Sequence, residues 1–456
     1  MYESVTRRDA LSIGSVATVI AVSGCTSAIE NFTEDEPNDE ADREDDEGGD
    51  GNWTMYQGDL TNTGYTGNRG PTDAVTEQWQ FDTDGGVETT PAVAGETVYV
   101  GDNTGFVYAI DATDGSERWS YDGRDRHDVM MVGTPTVRDG TVYFGGEQDF
   151  GSTGFVYAID AEDGDERWVN ESWEVHGSVA VADEMIYVAT NYDGLIALEE
   201  TESYDESVLD DFDDVDDMDD IDTVDDPDVV REINEALSET SETELSTSWT
   251  FAPEPDRGSP AFSGHPAVAD GIVLASGTGG VLYALDAATG TEEWSVDSED
   301  VSGNGPTVVD GTVYVGTGKL HALDLETGDE QWVVTDSSSS THPAVADGTV
   351  YLGQTFVGGS VDRFLSALDA SDGDTLWEYP TGNTVNSAPV VTDDAVYATH
   401  GSYADETGVV VAVDRETGDE LWSYEVGHHV VAAPTVSEGV VYVTTTDGTV
   451  HALEEA

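Results

Sequence analysis

His265 and His342 each sit immediately before a proline that opens a repeated strand, and His176 lies just ahead of the corresponding strand in another repeat. Imidazoles so placed can ligate a metal, carry a proton or recognise a ligand. Arg124, Arg126, Arg257, Lys319 and Arg363 fall in the long segments between strands, as do His127, Glu147, Asp149, Trp173 and the pair His428–His429. Positive charge is scarce in this chain: Lys and Arg number 14 against 97 Asp and Glu, and Lys319 is the one lysine. These residues read as a mixed-charge ligand funnel or a histidine-containing metal site. The plainer reading is that each arginine pairs with a nearby carboxylate and each histidine hydrogen-bonds within its loop. Trp173 stands outside the repeat pattern, where it stacks on a ligand ring or packs its own loop.

Enzyme motifs are missing. There is no helical metal-binding histidine pair, no Gly-x-Ser-x-Gly elbow, no phosphate-binding loop and no Cys–His cluster. No catalytic residue is therefore assigned, and the balance tilts toward binding. The net charge of -83 makes nucleic acid and anionic lipid surfaces poor partners. Such self-repulsion is tolerated where the Debye length shrinks to about 3 Å, in molar salt. The composition is that of a salt-adapted protein of haloarchaeal type. A disordered acidic chain is excluded by 38% hydrophobic residues with 10 Trp and 19 Tyr.

The elements that must position these residues repeat along the chain. The phrase at 109–119, Ala-Ile-Asp-Ala-Thr-Asp-Gly-Ser-Glu-Arg-Trp, returns at 158–168, 284–294, 322–332, 367–377 and 412–422. Degenerate copies begin at Ala197, whose tryptophan is delayed to Trp249, and at Ala452, which runs into the C-terminus. A strand such as Val98-Tyr99-Val100-Gly101 or Val313-Tyr314-Val315-Gly316 precedes each phrase. Before that comes a strand led by Pro91, Pro135, Pro266, Pro306, Pro343, Pro389 or Pro434, with Ser178 taking that place in the third copy. Each unit reads as four short strands with Asp-Gly or Thr-Gly turns, at the roughly 40–45-residue spacing of propeller blades. Eight units are counted. The last lacks its fourth strand, and an orphan Trp strand, 77–81, stands near the N-terminus to supply it. The expected fold is all-β: an eight-bladed propeller of four-stranded antiparallel blades whose N-terminal strand closes the last blade.

The repeated Ala-x-Asp-x-x-Thr-Gly-x-x-x-Trp phrase resembles the tryptophan-docking motif of the PQQ-like (pyrrolo-quinoline quinone repeat) β-propeller family. Trp53-Thr54-Met55-Tyr56-Gln57 with Asn62-Thr63-Gly64 is similar to the segment that opens many of those propellers. The resemblance implies that Trp79, Trp119, Trp168, Trp249, Trp294, Trp332, Trp377 and Trp422 each stack on the neighbouring blade. It covers residues 53–456. The family includes quinoprotein dehydrogenases, with PQQ, calcium and an aspartate base, and the propeller lipoprotein of the bacterial outer-membrane barrel-assembly machine. PQQ and calcium enter by that resemblance alone. The paired-cysteine disulfide of some dehydrogenases is ruled out, because Cys25 is the single cysteine.

The N-terminus reads as an export signal over residues 1–24. Arg7 and Arg8 resemble a twin-arginine motif, and Val22-Ser23-Gly24-Cys25 resembles a lipobox with Cys25 as the lipidated residue. Residues 25–52, dense in carboxylates, read as a solvated tether. A second acidic stretch, 202–246, interrupts the third blade; within it Asp226-Pro227 is placed to start a short helix over 229–237. Asn31, Asn52 and Asn170 are candidate glycosylation acceptors if the chain is exported. The expectation is a monomeric, non-catalytic propeller on the extracellular face of the cell membrane, binding a protein or small extracellular ligand. The alternative is a PQQ- and calcium-dependent oxidoreductase acting outside the membrane.

Overall fold

The computed structural model describes residues 52–124, 129–148, 153–172, 175, 178–182, 185–203, 242–253, 261–297, 305–316, 318–335, 338–339, 341–358 and 360–456. By internal contacts the chain divides into two units. One comprises 1–46 with 200–246 and lies mostly outside the described residues; the other, 47–199 with 247–456, is the propeller.

Eight antiparallel sheets make up the propeller, seven built on four strands consecutive in the chain and the eighth on three C-terminal strands with the N-terminal one. In blade 1 the strands Ala92–Ala94, Thr97–Gly101, Phe106–Asp111 and Glu117–Asp122 pair in chain order from inside to outside. Local chemistry fixes the hairpins. Between first and second strands, Asp139, Asp270, Asp310 and Asp347 have φ of 46–50° and the glycines after them 71–75°. Two successive left-handed residues make the type I′ turn whose twist matches a hairpin, and Asp-Gly is the pair that tolerates it.

The alanine of each repeat has a packing role. Ala109 faces Tyr99 on one side and Trp119 on the other, and is fully buried. Its small side chain lets the two rings approach to 5.8 Å over it. Both then reach one acceptor in the next blade: the Tyr99 hydroxyl and the Trp119 indole N–H donate to the Ala161 carbonyl at 3.2 and 3.0 Å. The same indole bond joins Trp79 to Ala112, Trp249 to Ala287, Trp294 to Leu325, Trp332 to Ala370 and Trp377 to Arg415, at 2.8–3.0 Å. Trp168 occupies this place in blade 2, beside Tyr143. The turn glycine is required because the partner ring lies on it: a Cβ on Gly290 would meet Trp249 at 2.5 Å.

Ring closure uses the N-terminus twice. Strand Val75–Asp82 pairs with Thr449–Glu455 and completes blade 8 as its outermost strand. Blade 8 then meets blade 1 through Thr435 Oγ1 to the Pro91 carbonyl, 2.6 Å, and Thr444 Oγ1 to the Thr89 carbonyl, 3.0 Å. Blade 8 has no docking turn of its own. The Pro71 carbonyl stands in for it, accepting from Tyr397 at 3.1 Å and Trp422 at 2.7 Å.

Two expectations are corrected. Ser178 does not occupy the proline position of blade 3; Val179 does. Ala180 faces Tyr187 as Ala92 faces Tyr99, and the Val179 carbonyl accepts Thr136 Oγ1 as that of Pro91 accepts Thr435 Oγ1. A β-branched residue keeps the extended backbone that proline imposes elsewhere, so the signal shifted by one. Arg363, expected in a long segment between strands, lies in a hairpin in which Thr349–Gly358 pairs with Ser360–Asp369, and Ala395–Ser402 pairs in the same way with Thr407–Asp414. At the insertion, described strands reach Ser203 and resume at Glu242, and the helix expected over 229–237 lies outside the described residues.

Candidate functional site

Residues 52–66 form a strap across the inner edges of the blades. An innermost strand has a free edge facing the axis, and its N–H groups need acceptors. The strap supplies them. Val93 bonds Trp53 in both directions, and the amides of Val137, Val268, Val308, Val345 and Val391 donate to the carbonyls of Thr54, Leu60, Thr61, Thr63 and Gly64, at 2.6–2.8 Å. Each valine is the second residue after the opening proline. Trp53 and Gln57 of the strap are fully buried, and the Asn62 amide spans the carbonyls of Pro266 and Pro306.

The residue ahead of each opening position comes next to the axis. In order around the ring these are Thr90, Thr134, Ser178, His265, Gly305, His342, Ala388 and Ala433. Gly305 separates the two histidines along the ring. A side chain there would collide with the His265 carbonyl at 2.1 Å and come within 3.0 Å of His342 Cε1, so glycine lets them converge. Tyr56 of the strap enters between them. Its ring lies flat on His265, centroids 3.4 Å apart at 6°, and edge-on to His342 at 5.2 Å. The Tyr56 hydroxyl is 3.0 Å from His342 Nδ1, while His265 Nδ1 takes the Ser178 amide at 3.0 Å and sits 2.7 Å from its hydroxyl.

Electrostatically this cluster is neutral. Burial holds His265 well below the ordinary imidazole value, with the His342 charge opposing it further. Burial alone takes His342 to about 3 and pushes the Tyr56 phenol up. Tyr56 and His265 keep partial solvent contact although deep in the protein; the desolvation of their surroundings sets the direction of both shifts.

The other sequence-selected residues enter local pairs. Arg124 forks onto Asp122 at 2.9 and 3.1 Å, lies 4.1 Å over the Phe106 ring and lowers the Asp122 carboxyl. His428 Nε2 is 3.2 Å from Asp447, and His429 meets Tyr403 edge-on. Arg363 is half-buried, its carbonyl accepting the Thr381 amide. Lys319 lies at the bend before strand Leu320–Asp324. Asn52 accepts the Gly95 amide through Oδ1, and Asn170 is in strand Glu166–Ser172. Arg7, Arg8, Cys25, Asn31, Arg126, His127, Trp173, His176 and Arg257 lie outside the described residues.

Tyr56 was the functional neighbour that sequence patterning alone left out. It belongs to no repeat, so only the three-dimensional path of the strap brings it beside His265 and His342.

Among the described residues, the donor set at the axis does not fit a calcium-bound quinone. It consists there of phenol, imidazole, hydroxyl and amide groups, whereas calcium takes about 6–8 oxygen ligands rich in carboxylates. Among the described residues, no cluster of three His, Cys, Asp or Glu could hold a metal ion.

The family model described as outer membrane protein assembly factor BamB, a PQQ-repeat family, matches residues 72–171, 151–203, 231–404 and 402–456. The chain belongs to this family. Among solved structures, this PQQ-like propeller is similar to BamB from Moraxella catarrhalis, at 19% identity and TM-score 0.58, covering 84% of this chain and 100% of that one. It is similar to a europium-containing methanol dehydrogenase at 15% identity and TM-score 0.62, covering 89% and 98%. A quinohemoprotein alcohol dehydrogenase from Comamonas testosteroni matches at 16% identity and TM-score 0.60, covering 89% and 81%. Likeness at such identity establishes a shared fold and leaves activity to the site. No curated protein matches the sequence significantly.

Proposed function

We propose that this PQQ-like propeller is a non-catalytic binding or scaffold module, lipid-anchored through Cys25 on the extracellular face of the cell membrane and engaging a protein or a small extracellular ligand. The observation that carries this reading is the occupation of the axis by the chain's own strap, with Tyr56 stacked on His265 at 3.4 Å. An axis filled by the chain's own neutral groups leaves recognition to the outer loops, where binding residues on rigid scaffolds concentrate. Export by the Arg7–Arg8 signal and adaptation to salt belong to the same proposal.

Asn52 bonds Gly95, in the tight turn between the first two strands of blade 1. The face opposite those tight turns carries the hairpin tips around Tyr403 and Arg363, and the proposal places the partner there. Tyr403 is 79% exposed, a large side chain open to a partner.

Photo-crosslinkers placed at Tyr403 and at Glu96, on opposite faces of the full chain in native membranes under molar salt, test this. Capture of one defined partner from Tyr403 and not from Glu96 is the expected result. Equal capture from both positions, or none from either, contradicts it.

A further inference from the structure

We propose that Tyr56, His265 and His342 form an acid-released latch that holds the N-terminal strap across the inner edges of the blades. One strap side chain joins two non-adjacent blades here, stacking on His265 of blade 4 and reaching His342 of blade 6 through its hydroxyl.

The geometry fixes the proton. A backbone N–H can only donate, so the Ser178 amide 3.0 Å from His265 Nδ1 requires that nitrogen to be bare. A proton added there sets N–H against N–H and breaks the bond. The groups facing His265 are Tyr56 from the strap, Ser178 from blade 3 and His342 from blade 6, with the Asn62 amide on its carbonyl. Those facing His342 are Tyr56 and His265. No described carboxylate acts on either imidazole to compensate a charge. The rings are therefore held neutral while the strap is seated, and regain ordinary basicity when it lifts and water reaches them.

The seat is also poised against itself. Gln57 holds left-handed backbone, φ 59°, a conformation disfavoured for a side chain that is neither glycine nor asparagine. Both amide atoms of the fully buried Gln57 side chain lack a hydrogen-bond partner among the described residues. Such strain is relieved on opening, so proton uptake acts on a balance already loaded. Below the ordinary imidazole value of 6.5, the open-to-closed ratio rises about tenfold per pH unit for each histidine that protonates only in the open form.

Amide hydrogen exchange on the full chain in molar salt tests the latch. Between neutrality and about pH 4.5, protection at Val137, Val268, Val308 and Val345, corrected for intrinsic rate, is expected to fall about tenfold or more per pH unit, while outer-strand amides hold. Replacing both rings, His265→Asn with His342→Asn, keeps an acceptor near Nδ1 without titration and is expected to abolish that dependence. Strap amides that track the outer strands at every pH overturn the proposal, as does a pH step that survives the double substitution. If the double variant does not fold, the imidazole carbon shifts of His265 in the unaltered chain decide. The ring is expected to stay neutral until strap protection is lost; a ring that titrates near 6.5 under a protected strap overturns the latch.

Discussion

Trp422 donates its indole N–H to the carbonyl of Pro71 at 2.7 Å, across a sequence separation of 351 residues. Among the described residues, the indole bonds of Trp79, Trp119, Trp249, Trp294, Trp332 and Trp377 each reach the turn of the following blade. That of Trp422 joins blade 7 to the segment leading into the N-terminal strand, so the ring is closed by a dock as well as by the pairing of Val75–Asp82 with Thr449–Glu455. Replacing Trp422 with Phe keeps most of the apolar contact, removes the indole bond and leaves the Pro71 carbonyl to Tyr397 alone. The expected loss is about 0.5–1.5 kcal/mol, read as a lower denaturant midpoint in molar salt. An unchanged midpoint would mean that strand pairing alone closes the ring.

Arg415 is spent on structure. Its guanidinium donates to the Tyr351 hydroxyl, the Thr392 carbonyl and Asp347, at 3.1, 3.3 and 2.7 Å, and only 10% of the side chain is exposed. Asp347 is exposed, so the ion pair adds little. Arg415→Ala should nevertheless cost about 1–3 kcal/mol through the two buried bonds, with Asp347→Ala close to neutral. Equal losses in the two variants would assign the effect to charge instead.

Acid should destabilise the chain in two windows. The imidazoles of His265, His342 and His400 are held below their unfolded value of 6.5 by burial, so the unfolded chain takes up their protons first. Stability present above that value is lost as pH falls toward the folded values, about 3 for His342. The turn carboxylates Asp111, Asp160, Asp369 and Asp414 are held below 3.8, the first two chiefly by arginine, Asp369 chiefly by a serine hydroxyl and Asp414 chiefly by a backbone amide. Their contribution is present above 3.8 and disappears only below it. Unfolding free energy measured against pH should decline first between neutrality and about 4, then more steeply. A flat profile down to pH 4 would show that the buried imidazoles take up their protons in the folded chain at the ordinary value.

Dilution of salt should unfold the protein at constant pH. With a net charge of -83, lengthening the Debye screening from about 3 Å to about 30 Å exposes the carboxylates to one another. Thermal midpoints should fall continuously on going from molar to millimolar salt. A salt-independent midpoint would contradict the reading of the composition as salt adaptation.

The blades were legible because their chemistry is local. Asp-Gly makes the type I′ turn between first and second strands at 139–140, 270–271, 310–311 and 347–348, and an alanine between Tyr and Trp strands announces two rings meeting above it. Closure was legible too, since blade 8 lacked a strand and the N-terminus held a spare one. The strap was not. Val93, Val137 and Val268 look like any inner-strand valines, and nothing in their sequence says that Trp53, Thr54 and Leu60 are their acceptors. His265 and His342 could be placed near the axis, but their neutrality comes from Tyr56, Ser178 and Gly305, which are contributed by other parts of the chain. Blade 3 misled by one residue because a valine replaced the proline that marks the strand elsewhere.

The central claim, that the filled axis makes this a binding propeller and not a quinoprotein, is tested most directly by quinone retention. Purified full-length protein is incubated with PQQ and calcium in molar salt, desalted into the same salt, and read for quinone absorbance and dye-linked oxidation of alcohols and sugars. The account expects no retained quinone and no turnover. Stoichiometric quinone that survives desalting and supports oxidation would contradict it.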